Sequence, residues 1–157
     1  MSFGIEEQYD KIYRYCYFKL HSRELAEDVT QETFLRYLKH YNFSNTASAM
    51  KYLYTIARNL CVDEYRKPKI EVIDESIPDT ATEETIITKL TVRSVLAKLS
   101  HEEQELLLLR YANDESVSEL AKIYGLSRYA IYRKLTSATN RFRAELRKED
   151  FDETLEG

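Results

Sequence analysis

Basic side chains are concentrated near the C-terminus, at a density that could neutralise the phosphates of a nucleic acid. Residues 127–148 contain seven basic residues and one acidic residue, although the whole chain has a net charge of −4. Arginine and lysine bind phosphate oxygens, and arginine also pairs with guanine edges in the major groove. A basic helix can equally be a solvated surface or a partner-binding face. The concentration of positive charge within an acidic chain favours DNA binding.

The residues that flank this basic stretch predict the helices that would present it to DNA. Gly125 can adopt the positive φ that ends a helix, and Ser127 can cap the next helix. Apolar residues then recur every three or four positions, at Ile131, Leu135, Ala138, Phe142 and Leu146. This order predicts a helix-turn-helix, whose second helix reads bases near its N-terminal end. The candidate contacts with duplex DNA are Ser127, Arg128, Tyr129, Tyr132, Arg133 and Lys134.

A second stretch with basic and aromatic residues lies between residues 49 and 67. Its packing stripe uses Leu53, Ile56, Ala57 and Leu60, and Pro68 ends the helix. The opposite surface is predicted to carry Lys51, Tyr52, Tyr54, Thr55, Arg58, Asn59 and Arg66. Aromatic rings beside basic groups are suited to stacking on unpaired bases while the bases' phosphates are bound. The alternative is that these tyrosines form a half-buried core, because the chain has thirteen tyrosines.

Helical periodicity begins close to the N-terminus. One apolar stripe consists of Ile5, Tyr9, Ile12, Cys16 and Leu20. After a break at His21 and Ser22, a second helix is predicted over residues 26–41, with an apolar side of Leu25, Val29, Phe34 and Leu38. Asp28, Gln31 and Glu32 form a polar patch on this helix. On the pattern alone, the patch is interpreted as an ordinary solvated face.

The residue types that most enzyme and cofactor sites need are too few or scattered. Three glycines cannot assemble a phosphate-binding loop or a dinucleotide motif. His21, His40 and His101 have no partner at zinc-binding spacing, and no nucleophile–base signature occurs. Cys16 and Cys61 are interpreted as reduced core thiols. We therefore expect no catalysis, no metal, no cofactor and no small-molecule substrate.

The distribution of apolar and acidic residues predicts the organisation of the chain. No apolar run approaches the length of a membrane span and no signal-peptide pattern occurs, so we expect a cytoplasmic protein without direct membrane insertion. The predicted class is all-α, with two small helical domains joined by a flexible acidic linker. The predicted boundaries are 1–67 for the first domain, 68–82 for the linker, 83–148 for the helix-turn-helix domain and 149–157 for an acidic tail.

The chain as a whole resembles the sigma-70 family, in particular the extracytoplasmic-function group of sigma factors. AEDVTQETFLRY (residues 26–37) and YLYTIARNLCVDEYRK (residues 52–67) are similar to pieces of sigma region two. LSHEEQELLLLRY (residues 99–111) and SVSELAKIYGLSRYAIYRKL (residues 116–135) are similar to sigma region four. The order of these pieces, the acidic linker between them and the total length together support the resemblance.

The resemblance implies a promoter-specificity subunit of bacterial RNA polymerase rather than an enzyme. It assigns Asp28, Gln31 and Glu32 to docking on the largest polymerase subunit, in place of an ordinary solvated face. Capture of the opened minus-10 element is implied for the loop at residues 42–48 and the helix after it. The implied contacts there are Asn42, Ser44, Asn45, Asn59, Asp63 and Arg66. Region four would read the minus-35 duplex. The implied partners are core RNA polymerase, promoter DNA and an anti-sigma factor.

Departures from the family pattern leave two questions open. Arg128, Tyr129 and Tyr132 stand where relatives commonly have small residues, so the promoter sequence cannot be borrowed, and the two tyrosines either read bases or pack. Two other functions also remain open: a stand-alone helix-turn-helix transcriptional regulator, and a sigma-like protein that binds polymerase without melting DNA.

Overall fold

The computed structural model describes residues 4–40, 49–68 and 91–156. All regular secondary structure in these ranges is helical, which confirms the predicted all-α class. The described residues form two compact units. The first contains the residues up to 68 together with Ser118–Gly125, and the second contains residues 91–117 and those from Leu126 onward. Most of the predicted linker and the boundary at residue 83 lie outside the described residues, so the predicted domain boundaries stay predictions.

Three helices pack on one another in the first unit: α1 (Ile5–Leu20), α2 (Arg23–His40) and α3 (Ala49–Arg66). The predicted break between α1 and α2 is confirmed. His21 adopts the left-handed conformation (φ 55) that ends α1. Ser22 Oγ then accepts a hydrogen bond of 3.3 Å from the Leu25 backbone N–H at the start of α2.

Large side chains of α1 and α3 form the centre of this unit. Ile12, Tyr15, Leu53 and Tyr54 are at most 1% exposed. The rings of Tyr15 and Tyr54 meet edge to face with centroids 5.5 Å apart, an arrangement favoured by the ring quadrupoles. The placement of Tyr54 on the outer surface of α3 is therefore wrong. Its ring fills space between α1 and α3, so for this tyrosine the core alternative holds.

The buried face of α2 differs from the predicted one. Ala26, Val29, Thr30, Thr33 and Tyr37 are buried, whereas Leu25 and Leu38 are 37% and 42% exposed. The buried hydroxyls are satisfied within the helix, because Thr30 Oγ1 donates to the Ala26 carbonyl (2.6 Å) and Thr33 Oγ1 to the Val29 carbonyl (2.7 Å). Small side chains allow neighbouring helices to approach closely. The predicted apolar side is thus buried at Val29 but not at Leu25 and Leu38.

The second unit contains α4 (residues 91–97), α5 (His101–Leu107) and α7 (Arg128–Glu156). A capping box begins α5: Ser100 Oγ accepts from the Glu103 N–H, and the Glu103 carboxylate accepts from the Ser100 N–H. A π-helical turn, Leu108–Ala112, follows α5. The core of the unit is formed by the buried residues Val95, Leu99, Leu106, Leu109, Ile131, Leu135 and Ala138. The predicted apolar stripe of α7 is thus confirmed at its first three positions.

The helix-turn-helix segment consists of α6 (Val117–Tyr124), a turn, and α7. Gly125 has a φ of +66, the conformation expected from the sequence. Ser127 Oγ accepts a 3.1 Å hydrogen bond from the Ala130 N–H, which confirms its role as the cap of α7.

Replacement of Tyr54 by alanine tests the packing of the first unit. We expect Tyr54→Ala to lower the free energy of unfolding by about 3–5 kcal/mol, because it removes a buried ring and its edge-to-face partner. Tyr65→Ala is the matched control on α3, since Tyr65 is 45% exposed. We expect it to cost less than half as much in urea denaturation followed by circular dichroism. Equal costs for the two variants would contradict this packing.

Candidate nucleic-acid interface

The start of α7 presents basic and aromatic side chains to solvent. Arg128 and Arg133 are exposed, and Tyr129 and Tyr132 are 71% and 59% exposed. The two tyrosines therefore do not pack into the core of the protein. The Arg133 guanidinium carbon lies 5.0 Å from the centre of the Tyr129 ring, a cation–π contact one helical turn apart. An aromatic surface carrying a guanidinium can stack on bases and bind phosphate.

A shallow cavity of about 550 Å³ runs along the same helix beyond the predicted contacts. Its lining residues are Tyr132, Arg133, Thr136, Ser137, Asn140 and Arg141. The sequence interpretation ended at Lys134 and missed the hydroxyl and amide groups of Thr136, Ser137 and Asn140. Thr136, Ser137 and Asn140 follow Arg133 by three, four and seven positions, so they lie on the same face of α7 as Arg133. This spacing was a signal in the sequence that could have identified them.

Ion pairs within the second unit occupy part of the positive charge of α7. Lys134 Nζ pairs with the Glu102 carboxylate, and Arg141 donates to the Glu103 carboxylate at 2.9 Å. Such exposed pairs contribute little to stability, on the order of 0–1 kcal/mol each. They nevertheless reduce the positive charge that is available to a phosphate. A count of basic residues along the sequence therefore overestimates this available charge. Arg128 and Arg133 are thus the stronger candidates, whereas Lys134 would have to leave Glu102 to bind a phosphate.

One face of α3 carries the remaining candidates for single-stranded DNA. The face combines positive, aromatic, amide and carboxylate groups within an arc of about 140° around the helix: Lys51, Tyr52, Arg58, Asn59, Asp63 and Arg66. All are exposed or half-buried, and Val62, which the sequence interpretation missed, is 39% exposed among them. Tyr54 is excluded by its burial. Asn42, Ser44 and Asn45 lie outside the described residues.

Arg58 is engaged within the first unit. Its guanidinium carbon lies 5.6 Å from the centre of the Tyr124 ring, at the end of α6. The Lys51 ammonium lies 6.0 Å from the Tyr52 ring centre on the same face. Both contacts pair a cation with an aromatic ring that could also stack on a base.

An exposed leucine adjoins the polar patch of α2. Asp28 and Gln31 are exposed, and the half-buried Glu32 accepts a 3.0 Å hydrogen bond from Arg36. Leu35 follows Gln31 and Glu32 by four and three positions, so it lies on the same face of the helix one turn further on, and it is 55% exposed. An exposed apolar side chain beside polar groups is suited to a protein-binding surface. The sequence interpretation considered only the polar residues of this face and missed Leu35.

Two features are absent from the described part of the chain. Within residues 4–40, 49–68 and 91–149, no group of three or more histidine, cysteine or acidic side chains could hold a metal ion. No helix in the described ranges is both long enough and apolar enough to cross a membrane.

Comparisons with known proteins match both halves of the chain. Residues 5–69 match the family model of sigma-70 region 2, and residues 96–138 match the helix-turn-helix domain of resolvase. The fold is similar to that of a sigma factor RpoE from Bartonella quintana, solved with the anti-sigma factor NepR. The TM-score is 0.64 at 19% identity, covering 89% of this chain and 92% of that one.

Curated relatives match over most of the chain. It is 31% identical over 144 residues to the ECF RNA polymerase sigma factor BldN of Streptomyces coelicolor, which covers 83% of this chain and 54% of that protein. The chain thus spans about half the length of this relative. It is 29% identical to the RNA polymerase sigma factor YlaC of Bacillus subtilis, covering 90% of this chain and 87% of YlaC. SigW of the same organism is 26% identical, covering 88% of this chain and 84% of SigW.

These matches and the helical fold define a protein of the sigma-70 class. Within that class, the chain belongs to the extracytoplasmic-function group of sigma factors.

Substitution of Arg133 tests whether the start of α7 binds phosphate. We expect Arg133→Gln to reduce the slope of log affinity against log salt by about 0.9 on duplex DNA, the loss of roughly one phosphate contact. Fluorescence anisotropy with a labelled duplex across a salt series measures it. Lys148→Gln is the matched control, because Lys148 pairs with Glu145 at 3.3 Å, far from the start of α7. A similar loss in both variants would mean that affinity depends only on total charge.

Proposed function

We propose that this chain directs core RNA polymerase to specific promoters, by reading the minus-35 duplex and by melting and trapping the minus-10 element. The observation that carries the proposal is the presence of three separate exposed surfaces on helices α2, α3 and α7. Each surface has the chemistry that one of these tasks needs. In this role the chain is not an enzyme, uses no cofactor, and acts in the cytoplasm with the polymerase.

The polymerase contact is assigned to α2. Asp28, Gln31 and Glu32 would bind core polymerase, with Leu35 as an apolar anchor that becomes buried in the complex. Burial of an exposed leucine excludes water from the surrounding polar contacts, which strengthens them. The exposure of Leu35 on the same helix face as these polar groups supports this assignment.

The minus-10 contact is assigned to α3 and the segment before it. Lys51, Tyr52, Arg58, Asn59, Asp63 and Arg66 would hold the unpaired strand, together with Asn42, Ser44 and Asn45. Stacking on an aromatic side chain is worth roughly 1–3 kcal/mol per base, so trapping unpaired bases can drive melting. The match of residues 5–69 to sigma-70 region 2 supports the assignment.

The minus-35 contact is assigned to the start of α7. Ser127, Arg128, Tyr129, Tyr132, Arg133 and Lys134 would enter the major groove, where a recognition helix reads base edges with its first turns. The exposure of Tyr129 and Tyr132 supports base contact over packing. The lining of the α7 cavity adds Ser137 and Asn140 as candidates for phosphate contacts.

The proposed domains follow the predicted boundaries: residues 1–67, a linker at 68–82, a helix-turn-helix domain at 83–148 and an acidic tail at 149–157. A tether between two readers lets weak contacts add through effective concentration. An anti-sigma factor is a further proposed partner. The Bartonella quintana sigma factor of similar fold was solved with such a protein, which supports this proposal.

Reconstituted transcription tests the polymerase contact. We expect wild-type protein with core polymerase to give a specific transcript, and Leu35→Ala to reduce its yield at least roughly tenfold at limiting protein. His40→Ala is the matched control, because His40 is exposed but lies about 80–180° around α2 from Asp28, Gln31, Glu32 and Leu35. We expect this control to keep wild-type yield.

Three results would contradict the proposal in different ways. Absence of any specific transcript would reject the sigma function. Tight, sequence-specific binding of promoter duplex by the protein alone, with no effect of Leu35→Ala, would favour a stand-alone helix-turn-helix regulator. Unchanged promoter activity in Arg128→Ala and Arg133→Ala would favour a polymerase-interaction protein that does not read DNA.

A further inference from the structure

An exposed tyrosine and an arginine form a pair at the start of α7. Tyr129 is the second residue of the helix, and Arg133 follows one turn later. The Tyr129 side chain is 71% exposed, a larger fraction than the 59% of Tyr132. The guanidinium carbon of Arg133 lies 5.0 Å from the centre of the Tyr129 ring, closer than the 5.6 Å between Arg58 and the Tyr124 ring. A cation thus holds the Tyr129 ring, while most of its surface is open to solvent.

Arg133 differs in its partner from the basic residues that follow it on α7. Lys134 and Arg141 pair with carboxylates of α5, whereas Arg133 contacts an aromatic ring. A cation–π contact uses the charge of the guanidinium and consumes none of its five N–H donors. Arg133 can therefore hold the Tyr129 ring and bind a phosphate at the same time, without first leaving a carboxylate.

The ring of Tyr129 presents carbon atoms to the base edges of a duplex. In the major groove every base presents hydrogen-bond donors or acceptors, and thymine alone adds an apolar group, its C5-methyl. Ring carbons placed over donors and acceptors would remove water from those groups without replacing its hydrogen bonds, which costs free energy. Contact with the methyl group instead removes apolar surface from water, which is favourable. Thymine is thus the base whose edge this ring suits.

The face of α7 around the pair is shaped for contact with a duplex. Tyr132 and Thr136 follow Tyr129 by three and seven positions, so all three lie on one face of the helix. Tyr132, Arg133 and Thr136 belong to the lining of the shallow cavity of about 550 Å³. Arg133 therefore joins the exposed ring to a concave polar surface, which can take the sugar–phosphate backbone beside the ring.

We propose that Tyr129 is a specificity-determining residue that recognises the C5-methyl group of a thymine, and that Arg133 is the positioning residue that fixes its ring. The inference rests on the proposed reading of the minus-35 duplex by α7, and adds to it the base that one side chain selects. Phosphate contacts set the register of a protein on DNA, while base contacts carry the sequence information. Arg133 and Tyr129 divide these two tasks within one helical turn.

The test begins with selection of binding sites from a randomised duplex library. The full-length protein is used at low salt, both alone and with core polymerase, and we expect the selected sequences to share a thymine. Each thymine of the selected site is then replaced by deoxyuridine, which removes only the C5-methyl group, and affinity is measured by fluorescence anisotropy. At one thymine we expect deoxyuridine to weaken binding about three- to fivefold, the effect of losing one buried methyl group.

Variants of Tyr129 separate the ring from its hydroxyl group. Tyr129→Phe retains the ring, and we expect it to keep the wild-type ratio of thymine to deoxyuridine affinity. Tyr129→Ala removes the ring, and we expect it to bind the two duplexes equally. Tyr132→Ala is the matched control, because it removes another exposed ring from the same face. We expect it to weaken binding to both duplexes and to leave their ratio unchanged.

The same affinity ratio tests the positioning role of Arg133, because a phosphate contact alone would not change it. Arg133→Gln removes the cation that holds the ring, so we expect the two affinities to become nearly equal, in addition to an overall loss of affinity. Arg133→Lys keeps a cation that can contact the ring, and we expect it to restore most of the ratio. A wild-type ratio in Arg133→Gln would reject the positioning role.

The remaining outcomes distinguish this inference from the proposed function. A selected site at which no thymine responds to deoxyuridine, or an equal response in Tyr129→Ala and wild type, would overturn the inference alone. Loss of the ratio in Tyr129→Phe would assign recognition to the hydroxyl group and so reject the methyl contact. A methyl response without any specific transcript in reconstituted transcription would reject the sigma function alone. Failure to select any sequence, with or without polymerase, would reject both.

Discussion

The first unit depends on small and hydroxyl-bearing side chains at the places where its three helices meet. Ala26, Thr30, Thr33 and Ala57 are buried there. Their size permits close packing of the helices, and the threonine hydroxyls bond to carbonyls of their own helix, which offsets the cost of their burial. Close packing then seals the tyrosine pair in the centre. The leucines of α2 stand at the surface, and Leu35 lies beside the polar residues proposed to bind polymerase.

The distribution of charge over the surfaces of the molecule matters more for binding than its net charge. The chain is acidic, with a net charge of −4, so its long-range field opposes approach to free DNA. Positive and aromatic groups are gathered on α3 and at the start of α7, each on a different unit. Such surfaces are effective once another protein has brought DNA near. A protein that binds polymerase through α2 and DNA through α3 and α7 fits this distribution.

Helix positions could be predicted from the sequence because they follow from local periodicity and local caps. Gly125, Ser127 and the capping box at Ser100 are all signals within four residues of their effects. The buried face of α2 could not be predicted in this way, because hydropathy ranks leucine above threonine and ignores how close the helices approach. Tyr54 was misplaced for a related reason, since its neighbour Tyr15 belongs to another helix. The exposure of the candidate residues was predicted best on α7, where it follows from periodicity, and Leu35 was missed.

The carboxylates of Glu102 and Glu103 make part of α7 an ion-exchange site with a tethered counterion. When a lysine binds a DNA phosphate, it releases any dissolved anion that was bound to it, and the DNA releases a condensed cation. Both released ions gain translational entropy, which favours binding. A carboxylate fixed on α5 cannot diffuse away, so Lys134 and Arg141 contribute less of this gain than their charges suggest. On non-specific duplex, replacing these carboxylates by phosphates would therefore contribute little binding free energy. In the proposed duplex contact, a site whose geometry aligns phosphates with both side chains would gain most from the exchange, so the tethered acids would favour discrimination between DNA sequences over overall affinity.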